Sequence, residues 1–350
     1  MSLWFASSLL LAAHLLAVNL ASGGPLVAAW LLGRSEADAN LGARLLRWSL
    51  ATLAIGSLLG GVTLLLPGLG LREAFGRFPA KAYMWAGLEL LFSAACILAM
   101  LAWRGWFRRH AVAAWLMALV ASTNLLYHFL PWLAVIGRMA VDPTWGPRGV
   151  IDRKQLLQLM GGSEPMSLSA HVVLASLVVP ALAALATFRR ESKLAELPTA
   201  DGRVRTARGL AMWALVPTVL QLPVGAWVLV GVTPAIRTAA MGGDPLAAVC
   251  FAAGVAAALY FTQVLAGLAL GELEPRGIRR AGWLLVVTVT LMTGTLRAGR
   301  MAAQRPSPGR PAAATAWPSP TITKCPTALH AASAPAGSRP SAAGDGCRAA

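Results

Sequence analysis

Eight apolar runs occupy most of the first 300 positions, and each approaches or exceeds the roughly 20 residues that a helix needs to cross a bilayer core. We place them at 3–32, 45–67, 80–104, 111–140, 166–188, 208–234, 245–270 and 279–300. Inside a bilayer the backbone has no water to bond, so only helices and closed barrels span it. These runs are too long for barrel strands and lack two-residue alternation. The expected fold class is all-α: a polytopic membrane helical bundle of about eight transmembrane helices.

Composition agrees, with 57% hydrophobic and only 13% charged residues. The net charge of +16 raises nucleic acid as a partner, and the distribution of that charge argues against it. Most Lys and Arg fall in short loops between spans, where they fix orientation and meet anionic membrane lipid. The loops after spans 1, 3, 5 and 7 carry the larger share. By the positive-inside rule these face the cytoplasm, which puts both termini outside. The first run is far longer than the apolar part of a signal peptide, so we read it as an uncleaved first helix. Cys96 and Cys250 lie within spans and read as small core residues, while Cys325 and Cys347 lie near the C-terminus. No CxxC or CxxCH occurs, so neither a zinc site nor covalent c-type haem is supported.

The runs divide the chain into a first four-helix bundle at 1–140 and a second at 141–300. Residues 301–350 are rich in Pro, Ala, Ser and Arg with no periodic apolar face, a composition expected to remain disordered.

Four ionisable residues sit inside the spans, where they are costly and where function is the default hypothesis. They are His14, Glu89, His128 and His171. Counted from the span ends at 1.5 Å per residue, all four lie roughly 8–18 Å below the outer surface. Three imidazoles in one layer point to haem iron, which takes axial imidazole and accepts a Met thioether opposite it. His14 and His128 could form one bis-histidine site. His171 would hold a second haem, with Met292 of span 8 as its opposite ligand. Glu89 could ligate a high-spin iron, relay protons or offset ferric charge, and it is the expected catalytic group. The competing reading for each histidine is a hydrogen bond to a neighbouring helix, and for Met292 it is packing. His110, beside Arg108 and Arg109, reads as solvated. Asn19, Asn124, Gln221 and Gln263 are expected to tie helices together. The Gly56/Gly60 and Gly267/Gly271 pairs read as close helix contacts. Pro180, Pro217 and Pro223 are expected to kink spans 5 and 6.

The order of these features resembles subunit I of the cytochrome bd quinol oxidases over its first five helices. The segment LLLAAHLLAVNL is similar to that family's first helix, and His14 matches its haem-ligating histidine. LATLAIGSLLGGVTLL resembles the glycine-rich second helix. MWAGLELLFSAACILAMLAWRGW resembles the third, which carries acidic residues beside the high-spin haems, and Glu89 is the match. WLMALVASTNLL is similar to the fourth. SAHVVLASLVV looks like the segment that places the low-spin haem's histidine, here His171. Only one of the family's two third-helix carboxylates is matched, and His128 has no counterpart. Residues 235–244 join spans 6 and 7 where the family carries a long quinol-binding loop.

What the resemblance implies is a divergent relative that transfers electrons in the inner (plasma) membrane: a b-type cytochrome with two haems b, or three. Its partners would be quinol or quinone and other respiratory-complex subunits. Quinol oxidation is the enzymatic activity implied. Two other readings stand beside it. One is a proton- or cation-coupled transporter using Glu89 and the intramembrane histidines, and the other is a structural subunit of a larger complex.

Overall fold

The computed structural model describes residues 2–66, 69–127, 129–190 and 201–304. Among these residues the protein is helical, with no strand. The helices are α1 (Ser2–Leu32), α2 (Glu36–Leu65), α3 (Leu71–Phe75), α4 (Ala80–Ala102), α5 (Arg104–Arg109), α6 (Ala111–Tyr127) and α7 (Phe129–Val141). There follow α8 (Arg153–Met160), α9 (Ser163–Leu185), α10 (Gly202–Gly231), α11 (Pro234–Thr238), α12 (Pro245–Leu270) and α13 (Pro275–Gln304). Eight segments are long and apolar enough to cross a membrane, with α6 and α7 together forming the fourth. The all-α membrane bundle is therefore the observed fold.

Span boundaries follow capping as much as hydropathy. α2 begins at Glu36, nine residues before its apolar run. Ser35 caps it by accepting a hydrogen bond from the Asp38 backbone N–H, satisfying one of the donors that a helix start leaves unpaired. Asp244 caps α12 in the same way through Ala247 N–H, with Pro245 in the first turn, where a missing N–H costs nothing. Asp152 and Gln155 form a reciprocal capping box on α8. Pro180 lies inside α9, and Pro217 and Pro223 lie inside α10.

α1 is the helix around which the others assemble: it packs on α2, α6, α9 and α13. Its longest contact is with α2, and small residues on α2 set it. Gly42, Ser49 and Gly56 recur at intervals of seven, with Gly60 one turn further. A Cβ at Gly42 would stand 3.1 Å from the Ala28 carbonyl, and one at Gly56 would stand 3.0 Å from Val18 Cγ2. A seven-residue repeat of small side chains is how membrane helices approach closely along a left-handed crossing. α9 comes still nearer: a Cβ on Gly23 of α1 would meet the Ser176 carbonyl oxygen.

The main core joins α1, α2, α4, α6, α9, α10 and α12 through residues such as Leu31, Leu45, Ile97, Ala118, Leu185, Leu210 and Leu265. A second cluster, around Trp132, Ile136 and Met139, lies under α3 and α8. Between them a small cluster of Ala21, Leu53 and Leu125, with Leu90 and Ala94 against it, draws α1, α2, α4 and α6 together. Large apolar side chains elsewhere face outward, among them Leu58 on α2, Leu91 on α4 and Trp283 on α13. In a bilayer this is the lipid-facing surface, and helices apolar on all sides are expected there.

Candidate functional site

His14 is held by α2. Its Nδ1 lies 2.8 Å from the Gly56 carbonyl oxygen. A carbonyl only accepts, so Nδ1 carries the proton and, in the neutral ring, Nε2 carries the lone pair. Gly60 makes room for the ring, since a Cβ there would stand 2.8 Å from His14 Cε1. The Gly56/Gly60 pair is thus a helix contact, as its spacing predicts, and also the seat of this histidine.

Glu89 is half-buried and stands one turn before a buried stripe on α4 formed by Ser93, Cys96 and Met100 at helical spacing. The stripe faces α6. Asn124 donates from Nδ2 to the Glu89 carbonyl at 2.6 Å and to Ser93 Oγ at 2.8 Å, and Ser93 in turn donates to the Ala121 carbonyl. The Glu89 backbone carbonyl, Ser93 and Asn124 therefore form one polar seam between α4 and α6. Leu90 and Leu125, their sequence neighbours, lie in the small cluster that also contains Ala21 and Leu53 of α1 and α2.

His171 lies early in α9, on the stretch where that helix is tied to α10. Gln221 of α10 donates to its backbone carbonyl at 3.2 Å. The ring itself is different: Nδ1 is buried with no hydrogen-bond partner. Met292 lies elsewhere, at the α12–α13 interface, where its Cε would be 3.0 Å from a Cβ on Gly254. His171 and Met292 are thus at different helix interfaces. His128 falls between α6 and α7, outside the described residues. Most of the predicted tail lies outside them as well, while its first four residues complete α13, which runs to Gln304. Among the described residues, no three His, Cys, Asp or Glu side chains converge on a position that could hold a metal ion. An axially ligated haem requires no such group.

Two expectations about polar ties hold: Asn124 and Gln221 both bridge helices. Asn19 is buried, yet its Oδ1 has no partner. The Gly267/Gly271 pair corrects the helix-contact reading. Gly271 has φ +118 and ends α12, its N–H bonding back to the Gly267 carbonyl, and Gly267 lies against the Glu272 carboxylate. The glycine is needed for a left-handed helix terminus, not for a neighbouring helix. His110 is exposed, as expected, and stacks on Trp106 with ring centroids 4.4 Å apart.

A cluster of charges was not anticipated. Arg138 of α7 donates from Nη1 to Glu164 Oε2 of α9 at 2.5 Å, with both side chains largely buried. Arg300 of α13 reaches the same place, its Nη2 2.7 Å from where a Gly137 Cβ would stand, and it lies within electrostatic reach of Glu164. Arg297, one turn earlier, is 4% exposed. The signal was present as two arginines three apart inside the last apolar run, a position where a topology argument reads them merely as the end of a span. Comparison with protein families, with curated proteins and with solved structures finds no match to this chain.

Proposed function

We propose that this chain is a membrane b-type cytochrome that carries electrons between a quinol pool and a partner subunit. The observation that carries this reading is the state of His14: a backbone carbonyl fixes the proton on Nδ1 and leaves Nε2 as a ligand nitrogen. Orienting an imidazole through its other nitrogen is how proteins prepare a histidine for iron. His171 supports it from the opposite direction, since a buried ring nitrogen without a partner is costly and a ligand would relieve that cost. In this reading His14, with His128 as its proposed opposite ligand, holds one haem b and His171 holds another. The haem supplies one-electron redox chemistry when bound. Glu89, whose backbone is tied to α6 by Asn124, handles protons or offsets charge beside the first haem. The likeness to cytochrome bd subunit I over spans 1–5 supports the same assignment and the same setting, an inner (plasma) membrane with the N-terminus outside.

The test is the visible spectrum of the full-length protein purified from haem-replete cells. A Soret band with reduced-minus-oxidised b-type features is expected, and His14→Ala and His171→Ala should each remove a separate spectral component. Met292→Leu decides whether the thioether leaves Gly254 to ligate iron: an altered His171-linked component assigns it as a ligand, and an unchanged one assigns it to packing. Absence of bound haem in the wild-type protein refutes the proposal.

A further inference from the structure

The Arg138–Glu164–Arg297–Arg300 cluster has more positive charge than it can satisfy. Glu164 opposes Arg138 and Arg300, and Arg297 adds a third guanidinium beside Arg300, so the three arginines carry two more positive charges than this carboxylate offsets. Arg297 and Arg300 repel each other across one helical turn. The Nε atoms of Arg138, Arg297 and Arg300 are all buried without an acceptor. Burying an unpaired ionised group is strongly unfavourable, and arginine does not escape by losing its proton. Buried guanidinium donors on Arg138, Arg300 and the adjoining Arg297 therefore call for an anionic acceptor.

The place identifies its chemistry. α13 carries Arg276, Arg279 and Arg280 at its other end. From Arg280 to Arg297 the helix rises roughly 25 Å, close to the thickness of a hydrocarbon core. Arg297 and Arg300 thus stand where the bilayer gives way to headgroups. Met301, the next residue, is 46% exposed and opens this end of α13 outward. Guanidinium groups present paired N–H donors that match phosphate oxygens.

We propose that Arg138, Arg297 and Arg300 form a phosphate-binding site at the end of the bundle where α7, α9 and α13 meet, occupied in the membrane by the headgroup of an anionic phospholipid. Glu164 holds Arg138 in place and offsets one of the three positive charges.

The experiment uses the full-length protein, delipidated in neutral detergent. Phosphatidylglycerol, phosphatidylcholine or inorganic phosphate is added, and retention by native mass spectrometry and thermal stability are read. Phosphatidylglycerol should be retained at least tenfold better than phosphatidylcholine and should raise the unfolding temperature. The Arg297→Gln/Arg300→Gln variant should lose that preference, and Arg297→Lys/Arg300→Lys, which keeps the charge without the paired donors, should keep only part of it. Stabilisation by inorganic phosphate to the same extent would support the site with a free anion as its occupant. Equal retention of the two lipids by the wild-type protein, with no response to phosphate, overturns the proposal whether or not the Gln variant folds.

Discussion

Gly60 and Gly61 are adjacent in sequence and opposite in surroundings, which makes a sharp test of the His14 seat. In Gly60→Ala the new methyl would stand 2.8 Å from His14 Cε1 and 3.3 Å from Nδ1. Carbon atoms settle at about 3.5–4.0 Å, so the ring must retreat by roughly 1 Å. Its Nδ1 contact with the Gly56 carbonyl, now 2.8 Å, is then stretched past a useful hydrogen bond. Leaving a buried donor and acceptor unsatisfied costs about 1–3 kcal/mol. A Cβ at Gly61 meets nothing within 4 Å. The gain in helix propensity from glycine to alanine, about 1 kcal/mol in water, applies to both and cancels in the comparison whatever its size in lipid. Gly60→Ala should therefore be less stable than Gly61→Ala by about 1–3 kcal/mol. Reversible unfolding in mixed micelles, with the far-ultraviolet helix signal as readout, measures the difference. Equal stabilities, or a greater loss at Gly61, would refute the argument that His14 is seated on α2.

Four further outcomes are expected in the same assay. Gly23→Ala puts a methyl against the Ser176 carbonyl and should separate α1 from α9; the loss should reach or exceed the usual 1–3 kcal/mol or so of overpacking, read also as reduced folded yield by size exclusion. Glu164→Gln breaks a buried ion pair and leaves Arg138 unopposed, for a loss of about 3–5 kcal/mol. Asn124→Leu removes both donations of the α4–α6 seam and should cost about 1–2 kcal/mol, as single interhelical hydrogen bonds in membranes do. Gly271→Ala, at φ +118, should cost about 1–2 kcal/mol from backbone strain alone, with no change at the α10–α12 contact.

The spans were legible because run length against bilayer thickness is a one-dimensional quantity. α12 begins and ends where its apolar run does, at Pro245 and Leu270. α2 shows where that argument ends. Glu36, Asp38, Arg44 and Arg47 interrupt the hydropathy of its first turns, yet the helix starts at the Ser35 cap because a helix outside the hydrocarbon needs no apolar surface. The two glycine pairs show a different limit. Gly56/Gly60 and Gly267/Gly271 have the same spacing, and only the second precedes a polar turn, Glu272 to Glu274, that stops the helix. The same is true of the site residues. The depth argument places His14, Glu89 and His171 in one layer, but it carries no angular information. It therefore could not say that the His14 ring turns to α2, or that the carbonyls of Glu89 and His171 are tied to α6 and α10.

Satisfaction of hydrogen bonds, more than polarity itself, separates the intramembrane groups that hold the fold from those that require something else. Asn124 and Gln221 spend their donors on carbonyls of the next helix, and Thr293 does the same to Ser8 across the α1–α13 contact. Such groups are consumed by packing. His14 is half consumed: one ring nitrogen fixes the ring and the other carries the lone pair. His171 Nδ1 and the arginine Nε atoms of the α7–α9–α13 end are not consumed at all. Among the unpartnered buried groups, these two ionisable sets differ in the sign of what would complete them. An imidazole nitrogen offers a lone pair to a metal or a proton, whereas a guanidinium has only donors and requires an anion. One molecule of one charge type cannot relieve both through the same atoms. If the proposed haem assignment holds, removing the arginines should leave the haem spectra intact while abolishing lipid preference, and removing His171 should delete its own spectral component while leaving lipid preference intact.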